Sequence, residues 1–438
     1  MLTQDALVPV WAELDRQHLT LDDIAPILQQ VSTLPHVTAA IIGHSYEGRP
    51  IHQLKIGHGA LKILAWTQMH GDEPTASAAI LDLLQHLVSG RVMPIEEFLT
   101  QFTLLVIPML NPDGAARRIR INAQGIDINR DALKLTSPEG RLLMSVAKQF
   151  KPDVAFNLHD QNPYYSAGRS RKPSTIAFLA PAYDEAKSIN PVRARAMQLI
   201  AAIHAELKTT IPNQIARYDD THSVRSFGDT LAGLGASTIL IESGAQYNDP
   251  NRQTARHMNI VAICHAIRIL FNGQWQNHSQ ADYFAIPENL EEGFADILIR
   301  DITLNSTGQH QPYIADVTFR VSEKTALPLL DAIGDLSHHA AFQEINGKNI
   351  ALQSGNGFAL QNPLKLTREK YRELLLAGYS YFVGEHHWID NTSQWPMLCK
   401  ASAEHALQPG CDGYVLLVEN GKVRAAILGN CYISNLRE

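Results

Sequence analysis

The chain is poor in cysteine and has no long apolar run. Its four cysteines, Cys264, Cys399, Cys411 and Cys431, show no Cys-x-x-Cys spacing. That excludes the local signatures of a zinc ribbon or a redox pair, and four are too few for a disulfide scaffold. Free thiols in a cytoplasmic protein are the reading, with Cys399–Cys411 the one bridge left open. No segment approaches the roughly 18 continuous apolar residues of a spanning helix. The start, Met1-Leu2-Thr3-Gln4-Asp5-Ala6, has no positive region followed by an apolar stretch, so no secretory signal is expected. Neither a basic tail nor a lysine/arginine cluster is present, and the formal net charge is −7. Nucleic acid and anionic membranes are therefore not expected partners. Internal repeats and low-complexity tracts are also missing. What is there is a chain of 438 residues, 45% hydrophobic and 18% charged, the composition of a globular protein and long enough to predict two domains.

Short apolar runs alternate with helical patterns over the first 275 residues. The first 30 residues are expected to be helical, with Val10, Leu14, Leu19 and Leu21 spaced among polar positions. A strand pair is predicted at 37–43 and 51–57, and helices at 76–88, 138–150, 191–207 and 256–271. Such alternation implies an α/β fold with a mixed, mostly parallel sheet sandwiched by helices. Residues 273–280 read as a linker. From about 280 to 438 the texture changes to a smaller β-rich accessory domain, with strands at 295–304, 312–321 and 349–358 and a helix near 367–376. Asn420-Gly421, between apolar runs at 414–418 and 422–428, is a strong hairpin signal.

Several polar residues sit just past the ends of apolar runs. His70 and Glu73 follow a run from Leu61 to Met69, His159 follows Val154 to Leu158, and Glu242 follows Thr238 to Ile241. In a parallel sheet, ligands bind outside the carboxyl ends of the strands. Two histidines and two glutamates aimed at one crevice suit a catalytic zinc: three ligands, an open position for water, and a carboxylate left over as base. His-x-x-Glu alone is weak, because among 19 histidines roughly one chance match is expected. His44-Ser45-Tyr46-Glu47 has the same spacing but lies in a turn before a strand, so it is assigned to structure.

The segment Asn111-Pro112-Asp113-Gly114, followed by Arg120-Ile121-Asn122-Ala123-Gln124-Gly125-Ile126-Asp127-Ile128-Asn129-Arg130-Asp131, adds the missing context. With His70-x-x-Glu73 before it and strand-end His159 and Glu242 after it, the order resembles that of the zinc metallocarboxypeptidases, the carboxypeptidase A-like funnelins. The resemblance covers residues 35–270. It implies one zinc ion per chain held by His70, Glu73 and His159, with Asp127 orienting one imidazole. It further implies Glu242 as general base, and Arg120 as oxyanion stabiliser, with Arg117 and Arg118 as nearby rivals. Asn129 and Arg130 would bind the substrate's terminal carboxylate, since a guanidinium fork matches a carboxylate bidentately. A tyrosine would close over the substrate, with Tyr218 the candidate and Tyr164 and Tyr165 the alternatives. Asp160, beside His159, offers a further carboxylate.

The function so implied is hydrolysis of a C-terminal peptide bond, on a peptide or small amide with a free carboxylate, by metal-activated water. Two other readings are a related zinc amidase or deacylase, of the desuccinylase/aspartoacylase or γ-glutamyl murein peptide type, and an inactive binding protein. The Asn-Pro-Asp-Gly segment and the Asn129-Arg130 pair favour the peptidase. Glu385-His386-His387 reads as a surface pair, and His257 and His265 as structural.

Overall fold

Short runs rich in valine, isoleucine and leucine build the central sheet of the first unit in the computed structural model, which describes residues 6–291, 293–305, 311–322, 325, 327–401 and 407–437. The chain divides into two compact units, residues 1–291 and 292–438. In the first unit the strands are β1 (Val37–His44), β2 (Pro50–Gly57), β3 (Leu61–Trp66), β4 (Phe102–Ile107), β5 (Val154–Asp160), β6 (Ser166–Ala167), β7 (Ile176–Leu179), β8 (Ile215–Arg217), β9 (Ser237–Ser243) and β10 (Asn289–Leu290). Eight of them form one sheet in the order β1-β2-β4-β3-β5-β9-β7-β8. The centre, β4-β3-β5-β9, is parallel, while β1, β2 and β7 join it antiparallel. The fold is thus mixed α/β. Strands β4 and β9 are buried along their whole length, as parallel strands covered on both faces must be.

The helices of this unit are α1 (Leu21–Ser32), α2 (Thr75–Val88), α3 (Ile95–Gln101), α4 (Pro112–Arg117), α5 (Pro138–Phe150), α6 (Pro191–Leu207), α7 (Phe227–Gly233), α8 (Gln253–Asn272) and α9 (Gln280–Phe284). They cover both sheet faces. Phe156 and Leu158 of β5 and Ile239 and Ile241 of β9 pack in one core with apolar residues of α2, α6 and α8. Ala155 of β5 and Trp66 of β3 pack in a second core with Leu143 and Met144 of α5 and Phe227 and Leu231 of α7. Alternate residues of β5 thus serve opposite cores, as the strand period of two requires.

Two helix starts follow directly from local chemistry. Ser137 and Asn190 cap α5 and α6 through their side-chain oxygens, each with proline at the next position. The N-terminal expectation needs correction. Among the described residues the segment before α1 has no α-helix and carries a short 3-10 turn at Ala12–Leu14, and Thr20 and Asp23 form a reciprocal capping box that starts the helix at Leu21. Pro74 stands at the N-cap of α2, one position before the helix. The buried Arg256 of α8 donates to both oxygens of Asp82 on α2, at 2.8 and 3.0 Å, and Asp82 also accepts the Val10 and Trp11 amides. This pair pins the N-terminal segment and α8 to α2.

Residues 273–280, read above as a linker, open with a 3-10 turn at Gln274–Asn277, and α9 follows. Tyr283 of α9 is fully buried in the first unit's core, and its hydroxyl accepts the Ala180 amide. Strand β10 pairs with β6.

The second unit is built on an eight-stranded sheet in which Phe294–Leu304 pairs antiparallel with Tyr313–Val321 and parallel with Ala340–Asn346 and Ala351–Gln353. Asn420 and Gly421 both have positive φ, 51° and 72°, as a two-residue hairpin between Tyr414–Glu419 and Lys422–Leu428 demands. The single strand expected at 349–358 is two, Ala351–Gln353 and Asn356–Ala359, in different sheets, parted by Gly355 at φ +67°. His386 and His387 lie in an exposed 3-10 turn rather than on a strand. All four cysteines are free. No helix among the described residues is long and apolar enough to cross a membrane.

Candidate metal centre

The turn after β3 is shaped by close packing against the start of α4. Asn111 caps α4 by accepting the Gly114 amide at 2.9 Å, and its Nδ2 donates to the Met69 carbonyl at 3.2 Å. A Cβ on Gly71 would lie 2.0 Å from the Gly114 carbonyl carbon, so the His70–Glu73 turn fits there only with glycine at its second position. The Asn-Pro-Asp-Gly segment therefore acts on the site by shaping the loop that carries it. Its Asp113 faces the other way and accepts from Ser45 Oγ, the Glu47 amide and Arg49.

Strand pairing supplies the other partners. In the β5–β9 register His159 sits opposite Glu242, so both side chains leave the same sheet face at the carboxyl end. His70 Nδ1 is 2.7 Å from Glu73 Oε1, and His159 Nδ1 is 2.7 Å from Glu73 Oε2. The two rings lie 4.8 Å apart. His70 Nε2 is 3.0 Å from Asp127 Oδ1, which fixes that nitrogen as the donor and turns Nδ1 toward Glu73. His70, Glu73 and His159 are buried. Glu242 is also buried.

The electrostatics follow from that crowding. Burial disfavours a charged His70, but Glu73 and Asp127 outweigh it and raise its pKa to about 9. For His159 burial wins over Glu73 and lowers the pKa. Burial also opposes the Glu73 charge, yet the two imidazoles hold it well below the usual carboxylate range. Glu242 has no such cation of its own, and burial, followed by repulsion from Glu73, raises it well above that range. Burial likewise pushes Asp160 up to about 6, against the pull of Arg252.

Among the described residues His70, Glu73 and His159 form the one group able to hold a metal ion, their donor atoms all within 4.8 Å of one another. Metal–ligand distances of about 2.1 Å place tetrahedral donors roughly 3.4 Å apart. To reach that spacing the two 2.7 Å contacts would open and donor separations of up to 4.8 Å would close. Two imidazoles and one carboxylate, with the ring nitrogen of His70 braced by Asp127, fit zinc.

The remaining candidates fall around this cluster. Arg120 donates to Asp127 Oδ2 at 3.0 Å and to Glu73 Oε1 at 3.3 Å, with its side chain 45% exposed. Asn129 Oδ1 accepts the Phe227 amide of α7 at 3.0 Å, leaving Nδ2 3.4 Å from His159 Nε2. Arg130 is exposed and donates to the Asn129 carbonyl. The structure brings Arg117 to Glu47 and not to the cluster. Tyr218 is half-buried against Ala167, Ala177 and Ala216, its ring 6.0 Å from that of Tyr165. Burial, then the negative charge of Glu242, raises its phenol pKa.

Sequence reasoning missed three residues that shape this region. Asp131 accepts from the Thr136 and Ser137 amides and from Ser137 Oγ, tying the Asn129–Arg130 loop to α5. Asp72 and Arg252 lie beside Asp160 around a neighbouring cavity. The Asn129-Arg130-Asp131 run was a signal for the first. Arg252 begins a helix far along the chain and has no local signal.

Residues 24–180 match the zinc carboxypeptidase family model, peptidase M14. The matched residues lie within the first unit. Carboxypeptidase 2 of Trichophyton tonsurans is 32% identical over 133 residues, covering 30% of this chain and 24% of that protein. Carboxypeptidase SOL1 of Arabidopsis thaliana is 26% identical over 207 residues, covering 40% of this chain and 42% of that protein. The chain thus spans less than half the length of these curated relatives. Similar solved structures include a metallo-carboxypeptidase from Burkholderia cenocepacia, at TM-score 0.46 and 18% identity over 59% of this chain and 70% of that one. Another is the carboxypeptidase A of Helicoverpa armigera, at TM-score 0.48 and 16% identity over 59% of this chain and 75% of that one.

Proposed function

We propose that this chain is a zinc carboxypeptidase that hydrolyses the last peptide bond of a substrate with a free C-terminal carboxylate. The observation that carries the reading is the convergence of His70, Glu73 and His159 with the buried Glu242 as His159's register partner. His70, Glu73 and His159 would hold one zinc ion, which when bound supplies Lewis acidity to water and to the scissile carbonyl. Glu242 takes a proton from the attacking water and delivers it to the leaving amine. Burial beside Glu73 raises its proton affinity above that of an ordinary carboxylate, which suits a group that must both accept and return a proton. Arg120 stands beside Glu73 with donors to spare and stabilises charge developing on the carbonyl oxygen. Asn129, held by the Phe227 amide, and the exposed Arg130 bind the terminal carboxylate. Tyr218 covers the substrate.

The test compares peptides, their C-terminal amides and N-acyl amino acids as substrates, with metal content measured alongside. Hydrolysis is expected for free-carboxylate peptides, with loss on chelation. Glu242→Gln should retain the metal and lose roughly 10²–10⁴-fold in rate. Equal hydrolysis by parent and variant would sink the assignment.

A further inference from the structure

Three buried residues, Thr67, Gln68 and Met69, join the end of β3 to His70. Gln68 is the unusual one. Its φ is +48°, in the left-handed region where a Cβ crowds the following carbonyl and glycine is the easy occupant. Among the described non-glycine residues with positive φ, Gln68 alone is buried. Water therefore cannot satisfy its polar atoms, and the surrounding structure must hold the conformation. It does so through every polar group of the residue's side chain. Nε2 donates to the Leu19 carbonyl at 2.8 Å and to the Gly71 carbonyl at 3.0 Å, and Oε1 accepts the Ser77 hydroxyl at 2.8 Å. Two carbonyls can only accept, which fixes the orientation of the amide. The Gln68 carbonyl in turn accepts the Asn111 amide at 3.0 Å.

These contacts converge on the turn that carries two of the candidate ligands. Gly71 lies between His70 and Glu73, and Ser77 stands in the first turn of α2, four residues after Glu73. Leu19 precedes α1, and Asn111 caps α4. One residue thus joins the middle of the turn to the helix after it, to the N-terminal segment and to the start of α4. An apolar side chain of the same length would fill the space but take the donor from both carbonyls. We infer that Gln68 is a positioning residue, whose left-handed backbone and side-chain clamp hold the His70–Glu73 turn in the arrangement that presents both ligands to one metal ion. A turn fixed by its own surroundings gives up little conformational freedom when an ion binds, and that saving appears as metal affinity. The inference rests on the reading of His70, Glu73 and His159 as metal ligands, and not on which bond is cleaved.

Gln68→Gly tests the clamp, because glycine takes this φ without strain and only the side-chain contacts are lost. Zinc should bind about 10–100-fold more weakly, the usual effect of removing an outer partner, measured by competition with a chromophoric chelator. In the cobalt-loaded protein the visible d–d bands should shift, since they report ligand geometry and a role in folding alone would not move them. Gln68→Ala keeps the left-handed strain as well, so it should melt below Gln68→Gly, and the reverse order would overturn the claim for the backbone. If Gln68→Gly folds poorly, Ser77→Ala, which removes only the hydroxyl on Oε1, should weaken zinc binding by a smaller factor. Zinc affinity and cobalt bands equal to the parent's in these variants would overturn the inference, whatever their melting points, and leave the carboxypeptidase reading standing. Weakened metal binding as expected, with no peptide cleaved by the parent, would support the clamp and overturn the carboxypeptidase reading instead. A parent that takes up neither metal would overturn both.

Discussion

The turns at His44–Glu47 and His70–Glu73 carry the same His-x-x-Glu spacing, and the structure uses them in opposite ways. In the first, His44 is exposed and Glu47 pairs with Arg49 and Arg117. The backbone of that turn is held by Asp113, through the Ser45 hydroxyl and the Glu47 amide. In the second turn both side chains are buried, and Glu73 bridges two imidazoles. Spacing made neither turn a site. The difference lies in what the sheet brings up to each: the second receives His159 from β5, and the first receives an arginine pair that neutralises its glutamate. A carboxylate already satisfied by guanidinium groups at the surface gains little by taking a metal.

The contrast can be broken by substitution. The largest expected effect is on metal affinity. His70→Ala or Glu73→Ala should weaken zinc binding by more than the ~10–100-fold typical of an outer partner, measured by equilibrium dialysis with metal analysis, whereas His44→Ala should leave stoichiometry unchanged. Loss of metal in His44→Ala would mean the wrong turn has been chosen. Next in size is Arg256→Ala, which strips the buried partner from Asp82 on α2, the helix that begins right after the His70–Glu73 turn. A buried carboxylate left without its cation costs about 3–5 kcal/mol, visible as a lower denaturant midpoint. A melt no different from the parent's would show that this pair does not hold α2 in place.

Asp127→Asn sharpens the comparison further. It keeps the shape but weakens the acceptor for His70 Nε2, so zinc should bind roughly 10–100-fold more weakly while the fold survives. Unchanged affinity would remove Asp127 from the site. The smallest effect belongs to Glu47→Gln. Its pairs with Arg49 and Arg117 are solvent-exposed, where ion pairs contribute little, so metal content should be unaltered and the melting curve nearly so. A measurable fall in zinc occupancy would mean that the two turns are coupled through Asp113.

Much of the site was legible because its signals are local. Ser137-Pro138 and Asn190-Pro191 announce helix starts through a capping oxygen and a proline with no amide to lose. Asn420-Gly421 announces a hairpin, since both residues tolerate positive φ. The strand-end positions of His70, His159 and Glu242 were readable from apolar runs alone. What escaped was set by distant partners. Nothing near Asp160 says that Thr75 will hold one of its oxygens and leave the other empty. Residues 273–291 lack a strong pattern, and it is burial of Tyr283 that ties them into the first unit's core. The single strand expected at 349–358 divides between two sheets at Gly355.

By itself the sequence determined which side chains were available and at the end of which strand each would stand, because apolar period and turn chemistry act over a few neighbouring residues. Tertiary structure alone decided that β5 lies between β3 and β9 with His159 level with Glu242, and that Asp113 serves one turn while Glu73 joins two imidazoles. Pairing between strands tens of residues apart depends on which buried faces fit together across the whole sheet, and no local pattern carries that information.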